Sequence, residues 1–206
     1  MKWHIPRLRR KWIVDRGSVS KEEIGMGIHG IPWGISDADA PKIFSRRFGT
    51  TFEYRCDTSL PNGCFCEREI GLRGGRMYGM DMDIWWLKFG SKRPGQAFQL
   101  YWLTVLRNDE SGLFVDELLG CLKDAITRRY GPHDRNPGSS IFCWDWSNPN
   151  GMVTTHNCMV GYPGNHVRIH FLNLQMDTSF RGVPTGTRPK VDALTRVMPR
   201  SAGRLA

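Results

Sequence analysis

The segment from Phe98 to Leu106 constrains the fold most, because it is apolar on both of its alternating faces. Its sequence is FQLYWLTVL, and successive side chains of a β-strand point to opposite faces of the sheet. A strand that is apolar on both faces has to be covered on both. We therefore predict that this segment is a central strand of a sheet.

The segment from Leu113 to Tyr130 follows a helical period instead. Its apolar residues recur at intervals of three and four, and Gly131-Pro132 ends the pattern. Acidic residues lie near its start and arginines near its end, as the helix dipole favours. We predict a long amphipathic helix that packs on the sheet through Leu118 and Leu122.

The remaining pattern predicts one short helix and further strands. Ser36 or Asp39 caps the short helix, which ends at Gly49. Strands are expected at 50–56, 64–71, 80–89, 141–146, 152–160 and 166–174. Strands, a long helix and then more strands predict an α+β fold: a single antiparallel sheet with one long and one short helix packed on one face.

Charge divides the chain of 206 residues into a neutral core and two basic arms. Residues 1–16 and residues 181–206 each carry six Lys/Arg and one acidic residue, so each end has a charge of +5. The total of +9 leaves −1 for residues 17–180. We predict a basic N-terminal arm at 1–19, an α+β core at 20–180, and a basic arm containing Pro and Gly at 181–206.

Two cationic arms favour contact with an acidic protein surface or nucleic acid. Together with one cation of the core, they supply the predicted partner contacts: Trp3, Arg7, Arg9, Arg10, Lys11, Trp12, Arg168, Arg188, Lys190, Arg196 and Arg200. The N-terminus lacks the apolar region of a secretory signal, and no apolar run is long enough to span a membrane. We expect the cytoplasm or another reducing compartment, which leaves organelle import and peripheral membrane contact open.

Three cysteines, Cys56, Cys64 and Cys66, flank the turn Pro61-Asn62-Gly63. Their sulfurs could converge across a hairpin, where His156 would complete a tetrahedral zinc site. A disulfide is another alternative. Cys-x-Cys is a weak zinc signal and free cysteine is commonly a small buried apolar residue, so we predict packing thiols, with no metal and no cofactor.

The strands around residues 161–165 form a second candidate site, whose chemistry depends on their register. Pairing Val160 with His166 would set Cys158 opposite Arg168 and His156 opposite His170. Such cationic surroundings would favour a thiolate. This register would separate polar from apolar side chains, so we predict it in preference to a register shifted by one residue.

No nucleotide-binding loop, metalloprotease helix or nucleophile elbow occurs in the sequence. The sequence therefore predicts a non-enzymatic binding protein whose basic arms dock on an acidic partner within a larger protein or protein–nucleic acid assembly. One alternative is an inhibitor or immunity-like protein that blocks another protein's active site. The other is a small hydrolase or transferase using Cys158 with His156 or His170.

Overall fold

A computed structural model describes residues 22–59, 66–92, 95–138, 140–147, 154–161 and 164–181. The first half of the chain forms α1 (Glu22–Met26), β1 (Gly27–Ile28), β2 (Ile31–Pro32), α2 (Ala40–Phe48), β3 (Thr51–Ser59), β4 (Cys66–Arg73), β5 (Arg76–Met77), β6 (Met80–Asp81) and β7 (Ile84–Ser91). The second half forms β8 (Gln99–Asn108), α3 (Val115–Tyr130), β9 (Arg135–Gly138), β10 (Ile141–Ser147), β11 (Thr154–Gly161), β12 (His166–Asn173) and α4 (Leu174–Arg181).

Within these residues, eight strands form one antiparallel sheet in the order β3-β4-β7-β8-β12-β11-β10-β9. The apolar strand β8 lies inside the sheet, with β7 on one side and β12 on the other. Its predicted central place is confirmed. Two short hairpins, β1–β2 and β5–β6, lie outside the main sheet.

One face of the sheet carries the main core. Trp85, Leu87, Leu103, Ile169 and Phe171 are almost fully buried on it. Helices α2 and α3 close this face because their apolar stripes face it. These contacts confirm the α+β fold with one long and one short helix packed on an antiparallel sheet.

The two helices end as their sequences predict. Gly49 follows α2 in the left-handed region, and its N–H donates to the Ser45 carbonyl at 2.8 Å. Gly131 follows α3, and its N–H donates to the Thr127 carbonyl at 2.8 Å. On α3, Leu122 is buried as expected, whereas Leu118 is half-buried at the edge of the core.

The prediction that helices cover only one face is wrong, because α4 packs on the other. Phe180 of α4 forms a second small cluster with Tyr101 and Leu172. A Cβ atom at Gly90 would lie 2.3 Å from the Phe180 ring, so the bare glycine of β7 allows this close approach. Helix α4 therefore covers one end of the second face.

Candidate functional site

Of the predicted partner contacts, Arg168 lies in the described chain. The others lie outside the described residues: Trp3, Arg7, Arg9, Arg10, Lys11, Trp12, Arg188, Lys190, Arg196 and Arg200. Their roles remain predictions. The candidate site is therefore built from Arg168 and from the second face of the sheet, on which α4 also packs.

The central strands β7, β8 and β12 place one row of side chains across this face. Trp86 pairs with Thr104, and Thr104 pairs with His170 on the other side. Arg168, two residues before His170 on β12, points to the same face. Its strand partner is Leu106. The antiparallel register thus gathers aromatic, hydroxyl and cationic groups at the centre of the sheet.

Arg168 is a half-buried cation without an anionic partner in the described chain. Its Nε donates to His166 Nε2 at 2.8 Å, and its guanidinium carbon lies 6.0 Å from the centre of the Trp86 ring. No carboxylate of the described residues contacts it. Burial lowers its pKa, but a guanidinium stays charged at neutral pH. This positive charge therefore lacks a counter-ion within the described part of the chain.

The two neighbouring histidines are neutral at pH 7. Burial first, and the charge of Arg168 second, lower the pKa of His170 to about 4. The same two causes lower the pKa of His166. Thr104 Oγ1 and His170 Nδ1 lie 2.9 Å apart, within hydrogen-bond distance. The neutral rings can form hydrogen bonds with a ligand, and they add no second positive charge to the site.

Lys88, another cation of this face, is paired within the fold. Its Nζ donates to Glu67 at 3.0 Å and lies 5.1 Å from the centre of the Trp102 ring. Glu67 also accepts a hydrogen bond from the Tyr101 hydroxyl. Arg73 and Arg135, two further cations of this face, form ion pairs with Glu53 and Asp145. Among the described cations of this face, Arg168 can therefore take an anion at least cost.

The structure corrects the predicted register of β11 and β12. Cys158 pairs with Phe171 and His156 with Asn173, while Arg168 pairs with Gly161. The prediction assumed a five-residue turn between Val160 and His166, whereas the described pair nearest the turn is Gly161 with Arg168. The observed register therefore differs from the predicted one by three residues. The juxtaposition on which the Cys158 enzyme alternative rested is therefore absent from the strand pairing.

Of the three cysteines around the β3–β4 turn, the structure describes Cys56 and Cys66, and these two do not converge. Cys66 pairs with Ser59, three residues beyond Cys56, so Cys56 and Cys66 lie on opposite faces. Both are free thiols, and Cys64 lies outside the described residues. Within the described residues, no group of three His, Cys, Asp or Glu side chains is placed to hold a metal ion.

Sequence reasoning did not identify the aromatic residues of the second face as part of a site. Trp86 and Trp102 lie in strands whose sequences are largely apolar. The sequence signal for the second face was that Trp86 and Lys88, two residues apart, share one face of their strand. Which face turns to the helices depends on long-range pairing. The identity of the second face therefore required the structure.

Comparisons with protein-family models, curated proteins and solved structures found no match to this chain. Among the described helices, none is both long and apolar enough to cross a bilayer. The chemistry of the site itself is therefore the basis for assigning a function.

Proposed function

We propose that the chain is a non-enzymatic binding protein whose basic arms dock on an acidic partner within a larger protein or protein–nucleic acid assembly. The observation that carries this proposal is the half-buried Arg168, which no described carboxylate neutralises. Arg168 would then receive an acidic group of the same partner on the second face of the sheet.

A partner anion would compensate a cost that the folded chain already bears. Moving a cation out of water is unfavourable unless an opposite charge or hydrogen bonds replace the lost hydration. The His166 ring supplies one hydrogen-bond acceptor for Arg168, and Trp86 supplies its π face. The remaining guanidinium N–H groups can form charge-assisted hydrogen bonds to a carboxylate or phosphate.

The arms would supply attraction at longer range. Each carries +5, whereas residues 17–180 carry −1. Such an uneven distribution raises the association rate with a polyanion and makes the binding sensitive to salt. Arg168 and the arms thus have complementary roles. The arms attract the acidic partner, and Arg168 on the sheet face gives it a defined contact.

The test compares two polyanions of equal charge, poly-glutamate and a single-stranded oligonucleotide, on full-length chains. In one variant, four of the six N-terminal cations, Arg7, Arg9, Arg10 and Lys11, become Gln. We expect the salt dependence of the dissociation constant to flatten, with a loss of slope of about 0.7 per lost phosphate contact on the oligonucleotide. The preferred polyanion identifies the chemistry of the partner.

A second variant, Arg168→Gln, separates the sheet contact from the arms. We expect weaker binding at every salt concentration, while the matched variant Arg128→Gln on the exposed side of α3 binds as the native chain does. Unchanged affinity and unchanged salt dependence in both the arm variant and Arg168→Gln would refute the proposed function. Thermal melts confirm that each variant is folded.

A further inference from the structure

The strand β3 forms one edge of the main sheet. It pairs with β4 on one side, and in the described chain no strand pairs with its other side. Every second residue of an edge strand directs its N–H and C=O away from the sheet. Thr51–Ser59 is nine residues long, so this edge can take up several backbone hydrogen bonds from an incoming strand.

A groove of about 560 Å³ opens between this edge and helix α2. Lys42 and Arg46 line it from the helix, and Phe52 lines it from the strand. Phe52 is 56% exposed, so its ring offers apolar surface to an incoming chain. The groove therefore combines an apolar floor with an adjacent backbone edge.

The helix side of the groove is cationic. Lys42 and Arg46 are one helical turn apart and exposed, and no carboxylate of the described residues contacts either of them. Two neighbouring cations favour an acidic occupant and disfavour a basic one. A bound chain with carboxylates in the groove would thus meet complementary charge.

The two acidic side chains of β3 do not block the edge. Charges on edge strands commonly prevent unwanted pairing. Here Glu53 pairs with Arg73 at 3.0 Å, and Asp57 pairs with Arg68 at 2.5 Å. Both arginines belong to the neighbouring strand β4, so these charges are engaged within the sheet.

A bulge defines where an added strand could pair. The register of β3 with β4 shifts between Phe52 and Tyr54, which bends the edge there. Regular pairing runs from Tyr54 towards Asp57. An incoming strand would therefore pair along 54–57 and continue past the bend into the groove beside Phe52.

From this geometry we propose that an acidic, extended segment of a partner protein adds to the β3 edge as a further strand. Its carboxylates lie against Lys42 and Arg46, and one apolar side chain lies on Phe52. The inference rests on the proposed function in taking the partner as acidic. It goes beyond that function by assigning a separate surface and a strand-addition mode of binding.

The test selects ligands from a random peptide library on the immobilised full-length chain. We expect enrichment of acidic peptides that bind the double variant Lys42→Glu, Arg46→Glu at least about tenfold more weakly. The matched control, Lys92→Glu with Arg128→Glu, reverses two exposed cations elsewhere and should bind normally. Failure to enrich any peptide, or equal binding by the groove variant, would overturn the proposal.

Amide hydrogen exchange then tests the binding mode. Outward N–H groups of β3 should exchange quickly in the free chain, and the selected peptide should slow exchange at alternate residues of 54–57. Protection confined to other elements would also overturn the proposal.

The variant Arg168→Gln separates this proposal from the proposed function. It should leave peptide binding in the groove unchanged, because Arg168 lies on β12, three strands away from β4 in the sheet order. Salt-sensitive polyanion binding without any groove peptide would reject the groove and leave the proposed function standing. Peptide binding in the groove without polyanion binding by the arms would reject the proposed function and leave the groove standing.

Discussion

Protonation of His29 should make the fold sensitive to acid. His29 lies at the tip of the β1–β2 hairpin and is 8% exposed. Its ring contacts Tyr78 at a centroid distance of 4.9 Å and also meets Phe48 and Phe171 edge to face. In the described chain its Nε2 is buried without a hydrogen-bond partner. The hairpin thus inserts a polar ring into apolar surroundings.

The pKa of His29 determines the sign and size of the effect. Burial, with smaller contributions from Arg129 and Arg47, lowers this pKa from 6.5 to about 3. The folded chain therefore stays neutral at His29, while the unfolded chain takes up a proton below 6.5. The contribution of neutral His29 to stability is therefore fully present above pH 6.5, and it is lost as the pH falls towards 3.

The expected loss follows from linkage. Each unit between the two pKa values is worth about 1.4 kcal/mol. Between about pH 7 and about pH 5, His29 should therefore remove about 2 kcal/mol from the free energy of unfolding. That amount is a large share of the stability of an ordinary domain.

Urea unfolding of the native chain and of His29→Asn, followed by tryptophan fluorescence, measures this loss. Asn does not titrate, and it tolerates the left-handed backbone that His29 adopts at a φ of 50°. The variant should lose about 2 kcal/mol less than the native chain over the same pH interval. His170, whose pKa is also lowered, remains in both proteins and contributes the same acid loss to each.

Identical pH dependence in the two proteins would show that His29 is not buried in neutral form, and the position of the β1–β2 hairpin would then be wrong. A lower stability of His29→Asn at every pH, with an unchanged difference between about pH 7 and about pH 5, has the same meaning. The difference across pH, rather than the stability at one pH, is therefore the decisive quantity.

Two further predictions concern the core and the thiols. Leu122→Ala should lower the free energy of unfolding by about 2–5 kcal/mol, because Leu122 is 1% exposed. Leu118→Ala should cost less, since Leu118 is half-buried, and equal losses in urea unfolding would contradict the placement of α3. In the native chain, the exposed Cys56 should react with a thiol reagent well before Cys143. Cys143 is buried, and burial raises its pKa to about 11; peptide mapping that finds it labelled first would refute this order.

The large elements were predictable because their sequence patterns are long and local. The apolar faces of β8 and the three-and-four spacing of α3 are visible without knowledge of their neighbours. The left-handed Gly49 likewise marked the end of α2. Such patterns depend on burial and on backbone conformation, which each segment carries in its own residues.

Helix α4 was missed although the sequence holds a signal for it. Asn173 ends β12, and its side-chain oxygen accepts a hydrogen bond from the Met176 N–H at 2.9 Å, as an N-cap does. The strand pattern that runs into Leu174 obscured this cap. The short hairpin β5–β6 was missed for a related reason, since Met80–Asp81 read as the start of β7.

The candidate site was less predictable because it depends on pairing between distant segments. Arg168 was identified from its charge, but its proximity to Trp86 follows from the order of β7, β8 and β12. The predicted register of β11 with β12 was wrong for the same reason. Polarity within a single hairpin could not fix it, since β12 is held from its other side by β8.

Pairing of charges, rather than net charge, locates the candidate contacts of the core. The value of −1 for residues 17–180 suggests an inert surface, because a sum does not distinguish paired from unpaired groups. In the described chain, carboxylates lie within ion-pair distance of Arg55, Arg68, Arg73, Arg76, Arg107 and Arg135. Arg46 and Arg168 have no such partner among the described residues, and neither do the exposed Arg47 and Arg128. Arg168 is distinguished by being half-buried and Arg46 by lining the groove beside Phe52, and the two lie at separate surfaces. A partner whose acidic groups reach both surfaces would bind more tightly than either contact alone allows, because the second contact becomes intramolecular.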